Sequence, residues 1–223
     1  TAGLFGLGGE RSVTVRCAPS FGTLWLAPRL YRFARENPHT VVRVFSSSWS
    51  EASSLERADL EIRYGDGNWS EPDAAPLFRE PSIPLCSPGL AERFGPDPAI
   101  ADLVHEPLIH IMGCENFWLR WMSEGGIVDP PPWRGIKVDS SMAALEIAAS
   151  GHGLALVLEP FARRYLDTGR LVMPVDHRLE SDHALFVVRP ARETPAKPEV
   201  QLFRDWLFRE VRQNEPGRIA QPA

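Results

Sequence analysis

The chain is poor in the features that would mark a membrane, secreted or nucleic-acid-binding protein. No window approaches the roughly 18 consecutive apolar residues of a membrane span. The first residues, TAGLFGLGGER, have neither a basic start nor a long apolar run, so no retained secretory signal is read there. Cysteine is scarce and odd in number: Cys17, Cys86 and Cys114 lie in or beside apolar segments. They read as small buried hydrophobes in a reducing compartment rather than as a disulfide framework. Lysine is rare, arginine is scattered and the net charge is −5. Without a basic stripe, direct nucleic-acid binding by these residues is not expected.

Signatures of catalysis are also missing. There is no G-x-S-x-G elbow and no phosphate-loop pattern. Gly151-His152-Gly153 lacks the third glycine of a dinucleotide fingerprint and closes a helical pattern instead of opening one. His105, His110 and Cys114 are spread across a strand, without the spacing of a zinc site. Ser20 has no sequence neighbour that would make it a nucleophile. The expectation is therefore no enzyme, no metal and no cofactor.

What is there is an apolar share of 43% over 223 residues, enough for one large domain or two small ones. The stretch Ser12–Leu30 organises the rest. Val13, Val15 and Cys17 read as a buried strand that breaks at Pro19 and delivers Ser20-Phe21-Gly22-Thr23 to a helix start. Such a turn offers backbone N–H groups, hydroxyls and the positive end of a helix dipole, a natural place for an anion. The helical pattern runs over 23–37, with the regular part expected from Pro28, which has no N–H to donate. Thr40–Phe45 follows as a strand, making a β-α-β unit with a parallel pair.

A Ser-rich loop is expected over 46–54, then a short strand over 58–65 that brings Arg63 and Tyr64 to the same rim as Ser20–Thr23. Leu77–Ser87 reads as one strand, long if continuous, with Pro81 and Pro84 marking bends or edges. A short helix over 88–94, a strand over 107–112, a helix over 116–124 and a stiff Asp129–Trp133 loop come next. Gly135–Val138, the turn Asp139-Ser140-Ser141, a helix over 142–150 with Gly151 after it, and Leu154–Leu158 form a second β-α-β unit. A helix over 159–167, short strands over 171–173 and 183–188, and an amphipathic helix over 199–212 complete the pattern. Two matched strand–turn–helix units with hydroxyl-bearing turns imply two lobes that face each other.

Each candidate carries a plainer reading beside the functional one. Ser20, Thr23, Ser140 and Ser141 are either helix N-caps or walls of a pocket. Arg63 is a surface ion pair or a ligand contact, and His183, at the start of a strand between lobes, is a solvated end or a ligand contact. Trp118 and Trp121, three apart on a helix, are core packing or cleft lining.

The motifs LAPRLYRFARENPHTVVRV, ADLEIRYGDGNW, PLCSP, FWLRWMSEGG, DSSMAALEIAASGHGLALV, DTGRLVMP and FRDWLFREV stand in order from about Ser12 to Val211. In this ordered set the chain resembles the effector-binding domain of LysR-type transcriptional regulators, within it the glycine-cleavage-activator and β-lactamase-regulator subgroup. The resemblance implies an α/β fold: two Rossmann-like lobes joined by two crossover strands, as in type 2 periplasmic binding proteins. Residues 1–11 would be a linker remnant, 12–84 with 186–212 the first lobe, 85–185 the second and 213–223 a polar, disordered tail. Mapped by motif, the family's ligand positions fall on Ser20, Phe21, Gly22, Thr23, Arg63, Tyr64, Asp139, Ser140, Ser141 and His183. His183 stands where the subgroup often has an aromatic, and Glu61 replaces a small apolar residue; by strand alternation Glu61 is expected at solvent or an interface.

The resemblance further implies a cytoplasmic bacterial sensor that binds a small anionic or peptide-like effector and forms a homodimer or homotetramer. DNA would be bound only through an N-terminal winged helix-turn-helix that these residues do not include. A secreted solute-binding protein of the same fold is the rival, against which three unpaired cysteines argue.

Overall fold

The computed structural model describes residues 11–46, 58–69, 73–132, 135–190 and 197–214. The loop expected over 46–54, the linker and the tail fall almost entirely outside them. The chain runs β1 (Ser12–Cys17), a helical segment ending in α1 (Ala27–Glu36), β2 (Val41–Ser46), β3 (Leu60–Gly65), β4 (Ala74–Phe78) and β5 (Ser82–Leu85). It continues through α2 (Pro88–Ala91), α3 (Ile100–Leu103), β6 (Leu108–Ile111), α4 (Phe117–Glu124), β7 (Gly135–Val138) and α5 (Ser141–Ala149). β8 (Leu154–Leu158), α6 (Glu159–Asp167), β9 (Ala184–Val188) and α7 (Pro198–Asn214) complete it.

The strands form two sheets, ordered β2-β1-β3-β9-β4 and β5-β8-β6-β7. β1 pairs in parallel with β2 and β3, and β6 in parallel with β7 and β8, so both β-α-β readings hold. The expected single strand over 77–87 is in fact two, β4 and β5, one in each sheet. Its prolines follow the rule that a residue without an N–H belongs at an edge: Pro76 and Pro84 sit on edge strands, and Pro81 lies in the break. The expected lobe limits at 84/85 and 185/186 each cut a strand, because β5 pairs wholly in the second sheet and β9 wholly in the first. The expected strand over 171–173 reduces to one bridge, Val172 with Cys86.

Three apolar clusters hold the sheets. In the first, α7 lays Val200, Phe203, Trp206, Leu207 and Val211 on Val13, Val15, Leu60 and Ile62. Phe33 meets Phe203 and Trp206 edge-on at 5.0 and 5.4 Å. Leu158 and Phe161, from the second sheet's β8 and the helix after it, also belong to this cluster, so apolar burial ties the two lobes together. The second lobe packs Trp118, Trp121 and Leu154 on one side of its sheet and Ala144, Leu145, Ala148 and Tyr165 on the other. Both tryptophans of α4 are therefore core residues. Gly153 makes one junction possible: its φ is +122°, and a Cβ there would lie 2.2 Å from the Pro107 carbonyl oxygen.

A cleft between two helix starts

Between the sheets lies a cavity of about 420 Å³, within the usual range for small-molecule sites of about 300–1,000 Å³. Its first wall is the C-terminal end of β1 and β3. The helix after β1 begins earlier than expected: helical hydrogen bonding is already present at Gly22, whose N–H donates to Ala18 O at 3.0 Å. Residues Phe21–Leu26 form a π-helical turn, with Ala27 N–H donating to Gly22 O, before regular α-helix resumes at Ala27. Pro28 accounts for this, since it cannot donate into an α-helical ladder and the wider turn accommodates the missing bond. Ser20–Thr23 is thus the first turn of a helix rather than the loop before it.

That shift decides where the side chains go. Ser20 and Phe21 line the cavity. Phe21 is also stacked on Trp25 at 5.0 Å, which fixes it from behind. Gly22 lies behind the wall, where a Cβ would stand 3.1 Å from both Cys17 Sγ and Ser46 Oγ. Thr23 is exposed and is not among the cavity-lining residues.

The opposite wall is the start of α5. Asp139, Ser140 and Ser141 all line the cavity. Ser140 is the N-cap: its backbone is extended and its Oγ accepts from Ala143 N–H at 3.5 Å. The next orphan donor, Met142 N–H, is satisfied from across the cleft, by Ser20 Oγ at 3.3 Å. Ser20 therefore caps the other lobe's helix, not its own. The plain cap reading holds for Ser140 and fails for Ser20.

Arg63 and Tyr64 also line the cavity. The Arg63 Nε and Nη2 atoms both donate to Glu61 Oε2, at 2.9 and 2.8 Å, and Arg16 Nη1 stands 3.6 Å from Glu61 Oε1. Glu61, expected at solvent or an interface, instead faces the cleft and holds two guanidinium groups. Parallel pairing puts it opposite Arg16 in the register of β1 and β3. The two arginines against one carboxylate leave this wall with a charge of +1, while Asp139 gives the far wall −1. The Tyr64 hydroxyl hydrogen-bonds Ser181 Oγ at 2.8 Å, and burial pushes its pKa up to about 12. His183 packs its ring edge-on against Tyr64 at 5.5 Å and is not itself among the lining residues. It buttresses the wall from outside.

Sequence reasoning missed several lining residues, among them Arg16, Trp69, Ser82 and Phe117. The signal for Arg16 was its place at the carboxyl end of β1. Ser82 carried a signal as well, a hydroxyl in the otherwise apolar run SIPL. Its Oγ is buried with no hydrogen-bond partner among the described residues. The cleft thiols are unsuited to attack: burial raises both Cys17 and Cys114 to about 11, so neither is a thiolate near neutrality. Among the described residues, no group of three or more His, Cys, Asp or Glu side chains is placed to hold a metal ion. The geometry suits reversible binding of a polar molecule between two helix starts.

Known proteins place this architecture. Residues 7–212 match the family described as the LysR substrate binding domain. The chain is 33% identical over 204 residues to the transcriptional activator AmpR of Rhodobacter capsulatus, covering 90% of this chain and 68% of that protein. It is 29% identical over 198 residues to the glycine cleavage system transcriptional activator of Escherichia coli, covering 88% of this chain and 64% of that one. The solved effector domain of AmpR from Pseudomonas aeruginosa superimposes with a TM-score of 0.82 at 26% identity, covering 93% of this chain and 98% of that one. The chain thus spans about two thirds of the curated regulators it matches. It belongs to the LysR substrate-binding-domain family, the effector-sensing part of transcriptional regulators.

Proposed function

We propose that this domain binds a small effector between its lobes, through Ser20, Phe21, Arg63, Tyr64, Asp139, Ser140 and Ser141, with Ser82 and Arg16 added. Gly22, Thr23 and His183 support the walls rather than touch the ligand. The observation that carries the reading is the Ser20–Met142 hydrogen bond, which joins a helix start in each lobe across the cavity. A ligand group inserted there would replace the Ser20 contact on Met142 N–H, and so alter the relative stability of closed and open lobe arrangements. Of the anionic and peptide-like effectors expected, the charge layout favours the second. A carboxylate complements the Arg16–Glu61–Arg63 wall and an ammonium complements Asp139, as in an amino acid or a short peptide.

The wider setting belongs to the same proposal. Operator DNA would be held by an N-terminal winged helix-turn-helix outside these residues, and the regulator would work in the cytoplasm, a reading supported by relatives that are transcriptional regulators. Homodimerisation, or a homotetramer, is supported by the two sheet edges β2 and β7, which carry the exposed Val41, Phe45 and Ile136. No catalytic step is assigned to the domain. A secreted solute-binding protein of the same fold is not favoured, since the curated relatives are transcriptional regulators.

The test is a thermal-shift screen of amino acids, dipeptides and simple carboxylates, followed by calorimetry on the hits. A bound effector raises the melting temperature. Ser141→Ala is expected to weaken binding by about threefold to tenfold, the worth of one hydrogen bond, with the fold intact. Unchanged affinity in both Ser141→Ala and Arg63→Ala would remove the cleft as the site.

A further inference from the structure

A second cavity, of about 460 Å³, lies on the outer side of the second lobe, away from the cleft. α4 stands between the two: it turns Phe117 to the cleft and Trp118, Leu119 and Met122 to this cavity. Leu108, Val104, Pro131 and Pro132 supply the rest of an apolar lining. Trp118 is 3% exposed and its indole N–H is committed to Ile109 O at 2.9 Å, so its ring is held as a fixed plane. Pro131 and Pro132, from the loop predicted from sequence as an extended segment and not used by the cleft, also line it.

Among the described residues the polar side chains lining this cavity are His105, Glu106, His110, Glu115 and Lys137. His110 on β6 and Lys137 on β7 are register partners. His110 is 8% exposed, and burial together with Lys137 holds its pKa below the ordinary histidine value, so its ring is neutral near neutrality. Glu115 stays ionised, its carboxylate stabilised chiefly by the Gly113 backbone N–H and its own, and it offsets the charge on Lys137. Glu106 is occupied by Arg93, at 2.8 Å. Among the described residues, Lys137 stands against Glu115 and Arg93 against Glu106, so the formal charges at the rim cancel, and an apolar interior of this kind favours a neutral flat molecule over an ion.

The geometry points to a second ligand site here, for a neutral planar aromatic of one or two rings bearing a single hydrogen-bonding group, of the phenol or indole type. The ring lies against Trp118 and Met122 with its polar group toward His110. This site is independent of the cleft reading, and through α4 the two sites share one structural element.

The test is a two-dimensional amide NMR titration of the 223-residue chain with indole, phenol and benzoate as separate probes. Indole or phenol is expected to give saturable shifts at Leu108, His110, Trp118 and Met122, with Ser20 and Ser141 still, and benzoate to bind about tenfold more weakly or not at all. Leu119, at 54% exposed, can be changed without touching the core, so Leu119→Glu and Leu119→Lys keep the fold while placing a charge of either sign at the mouth. Both are expected to weaken indole by about tenfold. The proposal is overturned by an absence of saturable shifts up to the probes' solubility, by benzoate binding as tightly as indole, or by shifts centred on the cleft.

Discussion

Ser20→Ala removes one oxygen, and with it the hydrogen bond that Met142 N–H donates across the cleft, at 3.3 Å. A net hydrogen bond is worth about 0.5–1.5 kcal/mol, and loss of a helix cap about 0.5–2 kcal/mol. Two features put the expected loss near the middle of these ranges. Ser20 is 6% exposed, so its own site is nearly dry, yet it borders the cavity of about 420 Å³, from which water can replace the hydroxyl. A cost of about 1 kcal/mol lowers the melting temperature by about 2–4 °C in a domain of this size. That shift alone would not distinguish a cross-cleft latch from a local defect.

Amide hydrogen exchange makes the distinction. If Ser20 holds Met142 from the other lobe, about 1 kcal/mol lost from that contact speeds exchange at Met142 about fivefold while leaving Ala143 protected by Ser140. Ser140→Ala gives the complementary pattern, with faster exchange at Ala143. The double variant shows whether the two caps are independent, since additivity holds only for sites that share no partner. An unchanged Met142 rate in Ser20→Ala would refute the latch, and with it the idea that a ligand must replace this bond.

Alkaline pH should destabilise the fold. Tyr64 and Tyr165 are raised from 10.0 to about 12, and Cys17, Cys86 and Cys114 from 9.0 to about 11. The unfolded chain gives up these protons first, so the stabilisation is complete below about pH 9 and is lost as pH rises through 11 and 12. Urea midpoints should fall steadily over that window, and less steeply in Tyr64→Phe; a flat profile would contradict the burial of these groups. Gly153→Ala, which forces a side chain to φ +122° with its Cβ 2.2 Å from the Pro107 carbonyl oxygen, should cost at least about 1–3 kcal/mol in thermal unfolding. Gly89→Ala, within α2 with open space around the new methyl, should be neutral or stabilising by about 0.4–1 kcal/mol. Equal effects in the two glycine variants would argue against the tight junction at β8. Glu61→Gln removes the carboxylate between Arg16 and Arg63, and the calorimetric preference of the cleft should move from zwitterions toward plain anions.

Much of the fold was legible because period and punctuation agreed. Alternating Val13, Val15 and Cys17, the Asn37-Pro38 stop and the apolar run over 154–158 each had one structural reading, and each appears as read. The 77–87 stretch failed for a specific reason. Its apolar residues satisfy a strand pattern throughout, and nothing local shows that the residues on either side of Pro81 pair with different sheets. That information resides in the partners, Leu185 for Phe78 and Leu158 for Ser82, each more than 70 positions away. The early start of the first helix was hidden likewise, since Pro19 reads as the break of a strand and Pro28 as the start of the regular helix, whereas the π turn lets one helix contain both.

The site was legible as positions and not as contacts. Rim placement at strand ends follows from sheet geometry, and Ser20, Arg63, Tyr64 and Asp139–Ser141 do line one cavity. What each side chain does depends on partners that no spacing encodes: Ser20 with Met142, 122 residues on, and Tyr64 with Ser181, 117 residues on. Glu61 shows the consequence most sharply. Read along its own strand it pointed away from the site, yet the parallel register with β1 sets it opposite Arg16, two residues before Arg63. A lone arginine at this rim would select for an anion outright. With Glu61 holding both guanidinium groups, a ligand carboxylate meets one net positive charge rather than two and competes with an internal carboxylate already in place. In the proposed reading, affinity for a simple anion is reduced accordingly, and the weight of recognition moves to ligands that also satisfy Asp139 on the other wall. On that same proposed reading, Glu61 is therefore the residue that narrows what the cleft can hold.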